Sequence, residues 1–327
     1  MNRQPNCGEM ARELGLSVKT VYRVMANSTQ VKEDTRRRVI KSLNKHGFFA
    51  ARCKTQQNVV FNFRTTDFSS RIIIPLMQNL SHRSFNCIVT ELEKNRARFE
   101  DAVADALVVV WGNEPDEETL QYGKSLNPNA VHINLLGGGG GDISIDSDDI
   151  AGGRIAARHF HLNGHSRVMV ASALDFNNAR DRAIGFLAEM KKYDRNSQCE
   201  LLEFNYRDYY APDHLDEVLP ERIKRGLGDI TGIFFTQIGP AGCAKRLFAK
   251  LGIRVPEDIS IISYDRPDYT LTDQNNIIYD SVYYDIEEII EWCEFYIHNS
   301  PLMGCKSKLH SLVVPKFKIN NSVKKLN

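Results

Sequence analysis

The sequence predicts an α/β protein in two parts: an all-α helix-turn-helix head, then a two-lobed core built on doubly wound parallel sheets. Short apolar runs alternate with helical segments from about residue 58 onward, and the whole pattern occurs twice. The head is set apart by charge. Residues 1–54 hold twelve Lys and Arg against four Asp and Glu, a surplus of +8, while the remainder carries −7 and the sum is only +1. A basic head on an acidic body is expected to meet a polyanion.

Three short helices are expected between residues 6 and 47. Asn6 can cap the first, with Glu9 three residues on, and Met10, Ala11 and Leu14 give it an apolar face that ends at Gly15. Ser17 then caps a second helix, "SVKTVYRVM". Its periodicity turns Val21, Val24 and Met25 inward and Val18, Lys19, Tyr22 and Arg23 outward. A third runs from about Lys32 to Lys45 on a stripe of Val31, Thr35, Val39 and Leu43, with Arg36, Arg37, Arg38 and Lys41 along it. Two helices joined by a tight Gly turn make a helix-turn-helix, whose second helix fits the major groove of DNA. There Arg23 can bond guanine bidentately, Lys19 can reach guanine or a phosphate, and Val18 can meet a thymine methyl. Ser17, Thr20 and Tyr22 suit phosphate oxygens.

The core strands are expected at "VVFNF", "FNCIVTEL", "DALVVVW" and "AVHINLL", and again at "SRVMVAS", "CELLEF", "TGIFFT" and "DISIISYD". Two such lobes favour a ligand cleft between them. Five glycines, 137 to 141, interrupt the text after "AVHINLL" and raise the question of a phosphate loop. Their spacing denies it. Consecutive glycines cannot supply G-x-G-x-x-G, Asp142 and Ile143 stand where G-x-x-x-x-G-K-[ST] needs Gly and Lys, and an extended "DISI" follows instead of a helix. The run is expected to be a floppy connection into the second lobe. Gly152 and Gly153, in the helix beyond it, are expected to permit close helix–sheet packing.

Composition is that of a soluble globular chain, 42% hydrophobic and 25% charged, with no apolar run near ~18 residues and no apolar leader at the N-terminus. Seven cysteines are scattered without a C-x-x-C, which reads as reduced thiols in a cytoplasm. His159, His161 and His165 could suggest a metal, but positions two apart face different sides of a helix, so no metal and no cofactor is expected.

"GEMARELGLSVKTVYRVMANSTQVKEDTRRRVIKSLNKHGF" resembles the DNA-binding head of the lactose/galactose repressor (LacI/GalR) family of bacterial transcriptional regulators. "DDIAGGRIAARHFHLNGHSRVMVA", "NARDRAIGFLAEM" and "LGIRVPEDISIISYD" resemble segments of that family's periplasmic-binding-protein-like core. The resemblance implies a head over 1–49, a hinge over 50–57, a first lobe of 58–146 plus about 282–310, and a second of 147–281 plus about 311–327. It puts the recognition pair on Val18 and Lys19, the base-reading Arg on Arg23, and further DNA contacts on Arg52 and Gln57 of the hinge. Three positions depart from the family. Ala50-Ala51 replaces Pro-Asn, Gln57 stands where a Leu wedges into the minor groove, and Ala26 replaces a phosphate-binding Asn. Gln can read a groove but is a poor wedge.

The same resemblance implies an effector pocket. Arg182 matches the Arg that bonds ligand hydroxyls or carboxylates, and Asp265 the Asp that accepts from a sugar hydroxyl. The alternative for this pair is a structural salt bridge. Gln237 and Ile238 replace a usual Asn-Asp, and Gly239-Pro240 are expected to disturb the start of the following helix. In the first lobe Asp67, Phe68 and Arg71 are the nearest candidates, Phe68 foremost, and Tyr206, Tyr209 and Tyr210 could wall a sugar face.

The expectation is therefore a homodimeric, cytoplasmic DNA-binding regulator, by default a repressor. It would bind a double-stranded operator and sense a small molecule, possibly a carbohydrate, without touching a membrane. The tail "VKKLN" lacks leucine heptads for a tetramer. Two other readings stay open: a solute-binding transport protein, and a regulator with a degenerate pocket that needs no ligand. No nucleophile, metalloprotease or paired-carboxylate motif supports an enzyme.

Overall fold

The computed structural model describes residues 7–25, 30–32, 34–36, 38–39, 42, 57–63, 67–81, 85–112, 115–136, 138–193, 198–205, 213–265, 279–300 and 308–326, without the side chains of 25, 67–69 and 213–216. The expected hinge up to residue 56, Ala26, and the tyrosines 206, 209 and 210 lie outside these.

In the head, α1 (Cys7–Leu14) and α2 (Val18–Met25) are separated by three residues. Gly15 takes φ +66°, the left-handed conformation that ends a helix cheaply only at Gly. Leu16 N–H closes the turn on Ala11 O at 2.8 Å. Met10, Ala11, Val21, Val24 and Val39 are buried together, as the periodicity predicts, and Cys7 joins them. Beyond α2, helical backbone is described at 34–36, 38–39 and 42.

Beyond the head, the described residues form two six-stranded sheets. The first contains β1 (Gln57–Asn62), β2 (Phe85–Thr90), β3 (Ala106–Trp111), β4 (Val131–Leu135), β5 (Ile143–Ser147) and β11 (Leu309–Val313). Its order is β11-β5-β4-β3-β1-β2. Between these strands the chain forms α3 (Asp67–Ser81), α4 (Arg96–Ala104) and α5 (Glu117–Leu126). The second sheet contains β6 (Arg167–Ser172), β7 (Gln198–Glu203), β8 (Gly232–Phe235), β9 (Ser260–Tyr264), β10 (Asp280–Tyr283) and β12 (Lys316–Lys318), in the order β12-β10-β9-β8-β6-β7. Its helices are α6 (Asp149–Leu162), α7 (Asn177–Tyr193), α8 (Asp213–Lys224) and α9 (Ile238–Leu251). The wiring 2-1-3-4-5 thus occurs twice, with every pair from β1 to β5 and from β6 to β10 parallel, and β12 antiparallel to β10. Every residue of β3, β4, β8 and β9 is buried. That is why these strands read as unbroken apolar runs: helices cover both faces of a parallel sheet.

Two compact units result, Met1–Asp146 with Glu287–Ser311, and Ser147–Ile286 with Leu312–Asn327. The first also holds α10 (Ile286–Asn299) from Glu287 onward. Gln57, the last residue of the expected hinge, is the first residue of β1, in register with Phe85.

The glycine run is not the slack connection between lobes that the sequence suggests. β4 and β5 are neighbours in one sheet, so the loop joins two parallel strands of the first unit with no helix between them. Such a short return needs consecutive left-handed residues: Leu136 has φ +54°, and Gly138 to Gly141 all have positive φ. The loop is also tied down. Gly138 N–H donates to Asp146 Oδ1 at 3.0 Å, Asn134 donates its amide to Gly139 O, and Asp142 N–H donates to His132 O at 2.8 Å. Lys124 pairs with the Asp142 carboxylate. A Cβ on Gly141 would sit 2.8 Å from His132 O. Gly141→Ala should therefore destabilise the first unit by about 1–3 kcal/mol, read from the urea midpoint.

Gly152 and Gly153 divide the packing role assigned to them. Gly152 faces the ring of Tyr264, at the end of β9, but Gly153 faces the backbone of α7: its Cβ would lie 2.0 Å from Arg182 O and 2.7 Å from Phe186 N. From the other side, a Cβ on Gly185 would lie 2.1 Å from Ile150 O. The contact is helix on helix, and it holds Arg182 against α6. Gly153→Ala forces the two backbones apart and should cost about 1–3 kcal/mol, with a matching fall in melting temperature.

The C-terminal segment completes the second sheet. Asp280 Oδ1 accepts from Asn320 N at 2.7 Å and Ser322 N at 3.1 Å, Ile261 N donates to Ser322 O at 2.9 Å, and Leu326 N donates to Asn163 O at 2.9 Å. The three histidines separate here. His159 Nε2 lies 2.9 Å from Asp280 Oδ2, His165 bonds Thr231 and the Lys324 carbonyl, and His161 stacks on Tyr193.

Candidate functional site

In the head, Ser17 Oγ accepts from Thr20 N at 3.0 Å and lies 2.8 Å from Thr20 Oγ1, so the two hydroxyls form the cap of α2. The cap sets the phase of the helix. With Val21 at 0% exposure, Val18 (42%) and Tyr22 (56%) stand in solvent, Lys19 is exposed and Arg23 half-buried. A short helix entering behind a tight turn, with Val18, Lys19 and Tyr22 exposed and Arg23 at their margin, has the form of a groove-reading element. Arg52 lies outside the described residues.

In the second unit the sequence-predicted pocket residues meet at the C-terminal ends of β6, β8 and β9. This is the edge where open α/β sheets bind ligands, at the strand-order reversal between β6 and β8. Arg182, on α7, is fully buried. Its nearest carboxylate is not Asp265 but Asp149, the first residue of α6, whose Oδ1 accepts from Arg182 Nε at 2.8 Å. One terminal nitrogen donates to Thr236 O at 2.7 Å and the other to the Tyr284 hydroxyl. Asp265 Oδ2 stands 3.7 Å from the guanidinium, an ion pair and not a hydrogen bond. The Tyr264 ring lies flat beneath the guanidinium carbon, 3.5 Å from its centroid. The pair expected from the sequence is thus a triad with Asp149 as its second acid.

Burial works against the charge on Arg182, and Asp149, Tyr284, Asp265 and Tyr264 together outweigh it, so the group stays a cation. Burial also raises the Asp149 carboxyl, against the pull of Arg182. It lifts the Asp265 carboxyl to about 6, with Arg182 opposing and Asp149 adding to the shift. Asp265 has φ +70°, a strained conformation for a residue with a Cβ, and strain of this kind clusters at ligand sites. Its Oδ1 and the Oε1 of Gln237 are buried and have no hydrogen-bond partner among the described residues. Gln237 is the N-cap of α9 and makes no side-chain cap bond. The expected disturbance by Gly239-Pro240 is absent: α9 starts at Ile238 and Pro240 falls in its first turn, where a missing N–H costs nothing. Phe68 is the second residue of α3, which follows β1 as α7 follows β6. A separate cavity lined by Lys245, Phe248, Ile253 and Tyr279 holds none of these residues.

A basic helix-turn-helix head joined to two flavodoxin-like α/β units defines the class: a DNA-binding regulator with a periplasmic-binding-protein-like core. Residues 8–50 match the family described as bacterial regulatory proteins, lacI family. Over 275 residues it is 26% identical to the HTH-type transcriptional regulator GalR of Escherichia coli, covering 79% of this chain and 78% of that one. It is 25% identical over 281 residues to the HTH-type transcriptional repressor PurR of Vibrio vulnificus, at 79% and 80% coverage. Among solved structures, the lac repressor dimer bound to operator and the anti-inducer ONPF superposes with a TM-score of 0.63 at 16% identity, over 98% of this chain and all of that one. A LacI family regulator from Enterococcus faecium with bound ribose gives 0.65 at 16% identity, over 83% and 100%. No described helix is long and apolar enough to cross a membrane.

Proposed function

We propose that the chain is a sequence-specific DNA-binding repressor that works as a cytoplasmic homodimer and senses a small molecule through its second unit. The observation that carries this reading is the outward face of α2 in a head that matches the lacI family. Val18, Lys19 and Arg23 read base edges, and Ser17, Thr20 and Tyr22 hold phosphates. Arg52 and Gln57 act near the hinge, where Gln57 is already a strand residue. Dimerisation is supported by the lac repressor, solved as a dimer on its operator, and gives two heads for a two-fold-related site. Arg182, Gln237 and Asp265 take the effector at the edge of the second sheet. A carbohydrate-sized ligand is supported by the cellobiose complex of CelR and by the ribose complex from Enterococcus faecium. Effector and operator affinities are then coupled, each changing the other by the same factor. The relatives are transcriptional regulators, and the chain is read as one without catalytic activity.

Fluorescence anisotropy with DNA from upstream of its own gene tests the reading. Binding should be specific and should weaken by about 10³-fold or more between 50 and 200 mM salt, as for a protein neutralising six or more phosphates. Salt-independent binding, or none, would sink the proposal.

A further inference from the structure

We infer that the ligand of the Arg182 pocket is an amine-bearing polyol, one that sets an ammonium group against Asp265 and offers hydroxyl donors beside it. The inference rests on reading this pocket as the effector site. Three observations carry it.

The first is charge. Arg182 is faced by two carboxylates, Asp149 at 2.8 Å and Asp265 at 3.7 Å. With both ionised, the cluster keeps one negative charge in excess among the described residues; Asp181 adds a further acid beside Asp149, and Tyr264 and Tyr284 are held in their neutral form by burial. The second is the state of the cation. Arg182 gives Nε to Asp149, one terminal nitrogen to Thr236 O and the other to Tyr284, and Tyr264 covers a face of the guanidinium. It does not present the free fork that clamps a carboxylate or a phosphate.

The third is the pair of leftover acceptors. Asp265 Oδ1 and Gln237 Oε1 are buried without a partner among the described residues. β8 and β9 pair with Phe235 opposite Ser263, so Gln237 and Asp265, two residues further on, leave adjacent strands at one level. A ligand hydroxyl can satisfy either acceptor. An ammonium group satisfies Asp265 Oδ1 and also cancels the excess charge, and an anionic group does neither.

The test is isothermal titration of the full-length protein at pH 7 with two matched sets: glucose, glucosamine and glucose 6-phosphate, then galactose, galactosamine and galactose 6-phosphate. In at least one set the amine should bind about tenfold tighter than its parent, a difference of about 1.4 kcal/mol, and the phosphate should not bind. Asp265→Asn should remove the amine's advantage. Should that variant not fold, the wild type decides by pH. Below about 6 the Asp265 carboxyl is protonated, and the ratio of amine to parent affinity should fall toward one between pH 7 and pH 5. Parents binding as tightly as amines, or phosphates binding at all, with Asp265→Asn still abolishing the signal, would overturn the amine and leave the pocket standing. Binding untouched by Asp265→Asn, or no binding in either set, would overturn the pocket itself.

Discussion

Replacing Arg182 by Met is expected to destabilise the second unit by about 3–5 kcal/mol, the cost of stranding buried carboxylates without their cation. The side chain is fully buried, holds Asp149, Thr236 O and Tyr284, and supports the ring of Tyr264, so neither solvent nor another described base can take its place. The deficit should shrink in acid. Asp265 already has its folded pKa raised, to about 6, so its contribution to stability is present below the ordinary carboxylate value and lost as pH rises through about 6. Without Arg182, Asp149 and Asp265 rise further, and protonation neutralises what the guanidinium no longer does. Urea titrations of wild type and variant at pH 7.5 and pH 5 measure this. A deficit that is equal at both, or larger at pH 5, would show that Arg182 acts through packing and not through charge.

Arg23→Ala should have the largest effect on DNA recognition. A bidentate arginine contributes about 1–3 kcal/mol of discrimination at one base pair, and a dimer makes the contact twice, so about 2–6 kcal/mol of specificity is at stake. The head itself should stay folded, because Arg23 is outside the Val21–Val24–Met10 cluster that forms its core. Selection of bound sequences from a randomised operator is the readout: the variant should accept any base at one position in each half-site and keep its preferences elsewhere. Equal losses on all sequences, with a salt dependence shallower by about one charge, would make Arg23 a phosphate contact instead.

The central strands of both sheets could be read from the sequence because parallel strands buried on two faces leave unbroken apolar runs, such as "ALVVVW" and "GIFF", whereas β10, β11 and β12 are outside the expected set. The head was legible for another reason: Ser17 and Gly15 carry local stop and start signals that depend on only a few neighbours. What the sequence hid were contacts between distant elements. Nothing in "SDDIAG" marks Asp149 as the acid that holds Arg182, thirty-three residues on, because that pairing exists only once Gly153 and Gly185 let α6 and α7 touch. The glycine run misled for a related reason. Composition records that Gly can be loose, but the return from β4 to its parallel neighbour β5 uses positive φ at Leu136 and Gly138 to Gly141, and there the loop is held by hydrogen bonds. Cys7 lies one turn before Met10 and Ala11, which places it on their face.

The stitching of the last residues onto Asp280, Ile261 and Asn163 bears on the order of events during synthesis. The head is a contiguous stretch with its own apolar cluster, available to fold as soon as it leaves the ribosome. Neither core unit has that freedom. The first needs Glu287–Ser311 and the second needs Leu312 onward, so both close only after segments far along the chain have been made. A nascent chain therefore exposes a DNA-reading element well before the part that would regulate it exists, and a chain cut before Lys316 would leave the second sheet without β12.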